Sequence, residues 1–191
     1  YVSLGMTAQR NAVVLLDNES SALPLPAETR IFVDGLDPNV AAKYGTVVET
    51  PDEADVVLLF LNTVFNGNQP AGTDRTLDQM MATRFPDTNL AFSEKILAKA
   101  ASYREVSQLV TLVDLNRPAV LTELNEMSGA LVGTFGVSDE AMLEVVFGKH
   151  NPVGKLPFEL PSSMAEVEAQ LEDVPDDTAN PLFPYGWGLS Y

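Results

Sequence analysis

The chain has 191 residues, 46% of them hydrophobic, and sets 11 Lys and Arg against 27 Asp and Glu for a formal net charge of −16. Such an acidic surface repels phosphate backbones and anionic lipid headgroups, so neither nucleic acid nor a membrane surface is expected as a partner. With no cysteine and one histidine, His150, thiolate catalysis, disulfides, cysteine-type zinc sites and multi-histidine metal centres are excluded.

In chain order, Tyr1 opens the sequence without a basic or apolar leader pattern, a start expected of a fragment or a processed product. Short, nearly continuous apolar runs then recur at Val13–Leu16, Ile31–Val33, Val47–Val48, Val56–Leu61, Leu109–Leu115 and Ala130–Phe135. Runs of this kind are how strands covered on both faces read. Between them the spacing predicts helices over Asn39–Tyr44, Asp74–Arg84, Ser93–Arg104, Val120–Met127 and Ser138–Phe147. Two of these carry clear one-sided stripes, Ile96, Leu97, Ala100 and Ala101 in one and Met142, Leu143, Val146 and Phe147 in the other. Ser93 and Ser138 are the expected N-caps, and Gly148 the expected stop of the second. None of the apolar runs approaches the roughly 18 to 20 residues that span a bilayer.

Alternating strands and helices predict an α/β fold: a three-layer sandwich with a mostly parallel, roughly six-stranded sheet. After Asn151, closely spaced Pro and Gly leave room for one strand (Leu156–Leu160) and one short helix (Met164–Leu171) in an otherwise irregular C-terminal tail that wraps the sandwich. Leu23–Pro26 and Asn66–Thr73 read as loops.

The dinucleotide, P-loop and nucleophile-elbow fingerprints are absent, which leaves carboxylates as the abundant reactive groups. Ligands of open α/β sheets bind beyond the carboxyl ends of the strands. The loop after Val56–Leu61, with Asn62, Asn66, Asn68, Asp74 and Asp78, is therefore the place to look. His150, just past a helix end, reads as a structural residue near the terminal carbonyls. Arg117 has two readings, a ligand contact or an ion pair. The aromatic, glycine-rich terminus likewise has two, a sugar-stacking platform or a packed closure of the fold. Asn18-Glu19-Ser20 matches a glycosylation sequon.

Two segments carry a family resemblance. Gly154-Lys155-Leu156-Pro157-Phe158-Glu159-Leu160-Pro161 and Pro181-Leu182-Phe183-Pro184-Tyr185-Gly186-Trp187-Gly188-Leu189-Ser190-Tyr191 closely resemble the signature that closes the C-terminal sandwich domain of glycoside hydrolase family 3. The likeness extends to Asn116-Arg117-Pro118, to Val145–Gly154 and to Ala12–Asn18 with Leu23–Pro26, and so covers essentially the whole chain. Asn66–Asn89 is its least family-like part.

The resemblance implies a sandwich that accompanies an N-terminal (β/α)8 barrel in β-glucosidases and related exo-acting enzymes, a barrel these residues do not include. In the family the nucleophilic aspartate lies on the barrel, and in many members the sandwich supplies a glutamate acid/base on a loop. Alignment places Asn66 at or near that glutamate, and an amide has no ionisable proton to donate. Asp74 and Asp78 are the substitute acid/base candidates, and Asn66 and Asn68 the substrate-binding ones. The expected partners are the barrel and an oligosaccharide or β-glucoside, with no cofactor or metal. Two alternatives stand beside this reading: a non-catalytic carbohydrate-binding or structural sandwich, and a flavodoxin-like or receiver-type domain with an acidic pocket from Asp34 and Asp114. Compartment and oligomeric state are left open.

Overall fold

The structure is a computed structural model that describes residues 2–18, 21–63, 89–171 and 173–191. A six-stranded sheet runs in the order β1-β6-β5-β4-β2-β3, with β1 Val14–Asp17, β2 Arg30–Asp34, β3 Thr46–Val47, β4 Val56–Asn62, β5 Gln108–Asp114 and β6 Ala130–Thr134. All five strands from β2 to β6 are mutually parallel, and β1 alone pairs antiparallel, to β6. The apolar run of β1 reads like the others because burial on both faces leaves the same pattern in either direction. Helices are α1 Val2–Asn11, α2 Pro38–Ala41, α3 Glu94–Val106, α4 Thr122–Met127, α5 Asp139–Val146 and α6 Met164–Ala169. The expected helix over Asp74–Arg84 falls outside the described residues.

Side chains alternate across the sheet into two separate cores. Leu15, Leu58, Val110, Leu112 and Val132 pack on one face with Met142, Leu143 and Val146 of α5, Ala41 of α2 and the Leu23 and Leu25 side chains. On the other, Val14, Leu16, Val57, Leu59, Leu109, Val113 and Leu131 meet Ala100 of α3, Leu124 of α4 and Leu156, Leu160 and Phe183 of the tail. Both predicted stripes thus face the sheet, with Ile96 and Leu97 packed against the second core. Each fully buried leucine contributes on the order of 1.5–3 kcal/mol.

The helix ends follow local chemistry. Ser138 Oγ accepts from the Ala141 amide at 3.4 Å, whereas Ser93 occupies the N-cap of α3 in extended backbone without a side-chain bond. Gly148 stops α5 at φ +67°, the left-handed region that favours glycine. Its amide donates to Val145 O at 2.9 Å.

Four elements depart from expectation. The Leu156–Leu160 run forms only β7, Leu160–Pro161, paired antiparallel with an unexpected β8, Pro181–Phe183. Pro157 has no amide to donate to a ladder. The Asn39–Tyr44 helix is reduced to the single turn of α2 behind an Asp37 cap, whose side chain accepts from the Asn39 amide. α1 was not expected, and none of its residues is buried. Polar contacts hold it instead: Arg10 pairs with Glu144, Gln9 Oε1 accepts from the Ser138 amide at 2.8 Å, and Asn11 Oδ1 lies 3.1 Å from His150 Nε2.

The tail closes the outer edge of β1. Between Leu15 and Asp17 the β1–β6 register shifts, so Leu16 is an extra residue bulged out of the ladder. Its carbonyl accepts the Trp187 indole N–H at 2.8 Å, and the Leu189 amide donates to Leu15 O at 2.8 Å. Gly154 and Gly188 permit this approach: a Cβ on either would overlap a carbonyl oxygen, Val13 O for Gly154 and Gly154 O for Gly188. Tyr191 finishes the seal, its OH donating to Val145 O at 2.8 Å, with burial pushing its phenol pKa up. The terminus is therefore a packed closure of the fold, although Tyr185 remains 64% exposed.

Trp187→Phe keeps an aromatic side chain, although a smaller one, and removes the donor to the bulged carbonyl. Urea unfolding of the 191-residue chain is expected to show a loss of about 1–3 kcal/mol, against about 2–5 kcal/mol for the cavity made by Leu58→Ala.

Candidate functional site

Because β2, β4, β5 and β6 are parallel, their carboxyl ends share one edge of the sheet. That edge carries Asp34, Asn62, Asp114 and Thr134, the last residue of each strand. Here the apolar runs give way to polar side chains. It is also the edge from which the chain leaves β4 through Thr63 toward the segment that holds Asn66, Asn68, Asp74 and Asp78. Those four predicted site residues lie outside the described residues, as does the Asn66–Thr73 loop.

Asp114 is the hub of the described part. It is 8% exposed, and three donors converge on it. Oδ1 accepts from the Gly136 amide at 2.7 Å and from Thr134 Oγ1 at 3.3 Å, while Oδ2 accepts from Asn116 Nδ2 at 2.8 Å. Its backbone carbonyl accepts from the Thr63 amide at 3.1 Å, and the Leu115 amide reaches Thr134 O at 2.7 Å. The ends of β4, β5 and β6 are tied together at this one residue.

A second set of bonds fastens the chain where it returns from beyond Thr63. Arg117 Nη2 donates to Asn89 O at 3.1 Å, the Val120 amide donates to Leu90 O at 3.0 Å, and Ala91 forms a parallel bridge with Val120. Residues 114–120 therefore grip both the outgoing foot, Thr63, and the returning foot, Asn89–Ala91. Thr63 is 2% exposed, and its hydroxyl has no hydrogen-bond partner among the described residues.

Asp34 is engaged elsewhere. It pairs with Lys99 and accepts the Tyr103 hydroxyl at 2.9 Å, both from α3. Burial, then the bond to Asp34, then its charge push the Tyr103 phenol up to about 12. The acidic pocket expected of Asp34 and Asp114 in the flavodoxin-like reading is not formed, since each carboxylate is committed to its own protein partners. Arg117, given two readings from the sequence, has a backbone contact among its partners. His150 is structural as expected: its amide donates to Glu144 O at 3.0 Å and its ring meets Asn11. Asn18 of the sequon exchanges two bonds with Leu23, Nδ2 to O at 2.9 Å and N to Oδ1 at 3.0 Å.

Asn116, Thr134 and Gly136 were not legible as site residues. Thr134 is one hydroxyl at the end of an apolar run, and the link from Asn116 to Asp114 depends on side-chain geometry that spacing does not encode. A depression of about 470 Å³ lies at the opposite edge, lined by Arg104, Val106, Ser107, Gln108, Glu126 and Gly129 among others. It sits at the amino ends of β5 and β6 and gathers none of the predicted site residues. The carboxyl edge, with its convergent polar groups, is the better candidate. Among the described residues no group of three or more His, Asp or Glu is placed to hold a metal ion, and no helix is long and apolar enough to cross a membrane.

The fold is an α/β sandwich whose parallel strands bring polar side chains together at their carboxyl ends. The model of the glycosyl hydrolase family 3 C-terminal domain matches residues 41–191, and the chain belongs to that family. It is 43% identical over 197 residues to beta-glucosidase C of Emericella nidulans, covering 100% of this chain and 30% of that protein. To the periplasmic beta-glucosidase/beta-xylosidase of Dickeya chrysanthemi it is 37% identical over 194 residues, covering 100% and 28%. The chain thus spans only about 30% of the length of these curated relatives. Among solved structures, beta-glucosidase from Listeria innocua in complex with glucose matches with a TM-score of 0.74 at 19% identity, over 99% of this chain and 33% of that one. The exo-1,3/1,4-beta-glucanase of a Pseudoalteromonas species gives 0.73 at 20%, over 98% and 28%. At these identities the structural likeness is one of fold.

The Tyr103–Asp34 bond has a pH signature. A phenol raised from 10 in the unfolded chain to about 12 in the folded one stabilises the fold fully below about pH 10, and that contribution is lost as pH rises through the folded value. Tyr103→Phe is expected to lower stability by about 1 kcal/mol at neutral pH and to flatten the alkaline decline, read by thermal unfolding across that window.

Proposed function

We propose that this chain is the C-terminal domain of a β-glucosidase-like hydrolase that removes terminal β-linked sugars from oligosaccharides or glucosides, and that it completes an active site whose other half lies on an N-terminal (β/α)8 barrel. The observation that carries this reading is the match of all of this chain to about three-tenths of beta-glucosidase C at 43% identity. The position of the carboxyl edge supports it, because that edge is where a sandwich would meet a ligand held by a neighbouring domain.

The chemistry sets a demand. Glycoside hydrolysis needs two carboxyl groups flanking the scissile bond, about 5–5.5 Å apart in a retaining enzyme, one of them protonated to assist the leaving oxygen. The nucleophile is assigned to the barrel. Of the described carboxylates at the carboxyl edge, Asp34 is held by Lys99 and Tyr103, and Asp114 by Asn116, Thr134 and Gly136. With Asn66 at or near the position of the family's glutamate, the proposed acid/base is Asp74 or Asp78 in the segment that follows Thr63, with Asn66 and Asn68 as sugar-binding amides. Neither a metal nor a cofactor enters this mechanism.

In the full-length protein, Asp74→Asn or Asp78→Asn is expected to lower aryl β-glucoside turnover by roughly 10²-fold or more, on the scale of a lost general acid. Unchanged turnover in both variants removes these aspartates from the role and favours a sandwich that only binds or supports. The 191 residues alone are expected to show no hydrolysis, since one carboxyl group and the sugar subsite are supplied from outside them. Robust turnover by the purified chain would overturn the proposal.

A further inference from the structure

We propose that α1 is a hinged latch: it docks on the sandwich through polar contacts of its last turn alone, and it releases and unwinds while the sheet stays closed. This behaviour does not depend on the hydrolase reading. Joined to that reading, it places a hinge between the sandwich and the proposed barrel.

Three consecutive residues at the C-terminal end of α1 make its docking bonds. The Ser138 amide donates to Gln9 Oε1, Arg10 pairs with Glu144, and Asn11 Oδ1 meets the His150 ring. Among the described residues, 2–8 make no side-chain bond to another element; their one bond, Thr7 Oγ1 to Ser3 O at 3.0 Å, lies inside the helix. No residue of α1 is buried, and none packs into either core. Val2 and Leu4 are 84% and 71% exposed, and a Cβ added at Gly5 would meet nothing within 4 Å. Intrinsic propensity does not replace the missing packing. Isolated helices shorter than about 12–15 residues are marginal in water, and α1 has 10 residues, with Ser3, Gly5 and Thr7 among them. Its helical state therefore depends on the hold at one end. The next residues set the limit of the opening: Val13 is 0% exposed, Val14 and Leu15 are 1% exposed, and β1 is bonded to β6 on one side and to Leu189 on the other. Release stops at Val13.

Polar docking also gives the latch an electrostatic handle. The Arg10 and Glu144 side chains keep 27% and 19% of their surface exposed, and an ion pair in contact with solvent weakens as salt screens it. The whole chain responds in the opposite sense, because salt screens the self-repulsion of a net charge of −16. Rising ionic strength is thus expected to loosen α1 and leave the cores no weaker.

Amide hydrogen exchange of the 191-residue chain, read segment by segment, tests the latch without reference to activity. The α1 amides are expected to exchange through local opening, well ahead of α5 and β5. Between about 0.1 M and about 1 M NaCl their exchange is expected to quicken about threefold, on the scale of one screened ion pair, while α5 and β5 exchange no faster. Glu144→Gln keeps an acceptor but removes the charge, and is expected to give the faster α1 exchange already at low salt and to abolish the salt response. Gly5→Ala, at a site that touches nothing, is expected to slow α1 exchange about fourfold, because opening is unwinding and alanine favours the helix. Exchange of α1 and α5 at one common rate would mean that α1 opens only with the sandwich, and overturns the proposal. So does α1 exchange that is indifferent to salt in the wild type, a result that needs no variant to fold.

Discussion

The pairing of β4 with β5 is the constraint from which the remaining structure follows. Residues Val56–Leu59 and Leu109–Val113 are buried, and they are in register from Val56 opposite Gln108 to Asn62 opposite Asp114. A one-residue slip would carry each side chain to the other face and set each of the two cores against the wrong helices. The register is thereby fixed by packing, and with it the point where apolar sequence ends. Asn62 and Asp114 reach the same rim together, and the polar edge is a consequence of where the core stops.

The residues by which the family is recognised act mainly in closing the fold. Gly154 and Gly188 allow backbone to lie against backbone, Trp187 serves the carbonyl of the bulged Leu16, and Leu189 bridges Leu15. Together they cover the outer edge of β1, which would otherwise offer unpaired amides and carbonyls to another chain. Lys155 adds a bond from Nζ to Gly188 O at 2.5 Å. A motif of this kind is long and specific because each residue has a steric duty. It identifies a domain without saying which of its residues touch substrate.

What the sequence made legible follows from the same division. The six strands and the stripes of α3 and α5 were readable because burial is periodic, and the tail because proline and glycine punctuate it. α1 was not readable: its contacts to α5 and beyond run through Arg10, Gln9 and Asn11, and polar docking leaves no apolar stripe. β8 was hidden by Pro181, and the direction of β1 by a run that reads alike in parallel and antiparallel sheets. At the rim, Asp114 drew attention only as half of an acidic pocket. Its actual partners, Asn116, Thr134 and Gly136, are brought together by the ends of two strands, a relation that spacing along the chain cannot express.

The proposed divided site would account for the few free reactive groups at the described edge of so acidic a domain. The carboxylates there are spent on architecture, Asp34 on α3 and Asp114 on Gly136 after β6, while in the proposed function the chemistry falls to the segment between Thr63 and Asn89 and to the barrel. The most direct measurement is a crystal structure of the full-length protein with a glucose-like inhibitor bound. Side chains from the segment between Thr63 and Asn89 are predicted to lie within hydrogen-bonding distance of the sugar, opposite a barrel aspartate. A sugar enclosed wholly by the other domain, with that segment remote from it, would contradict the divided site.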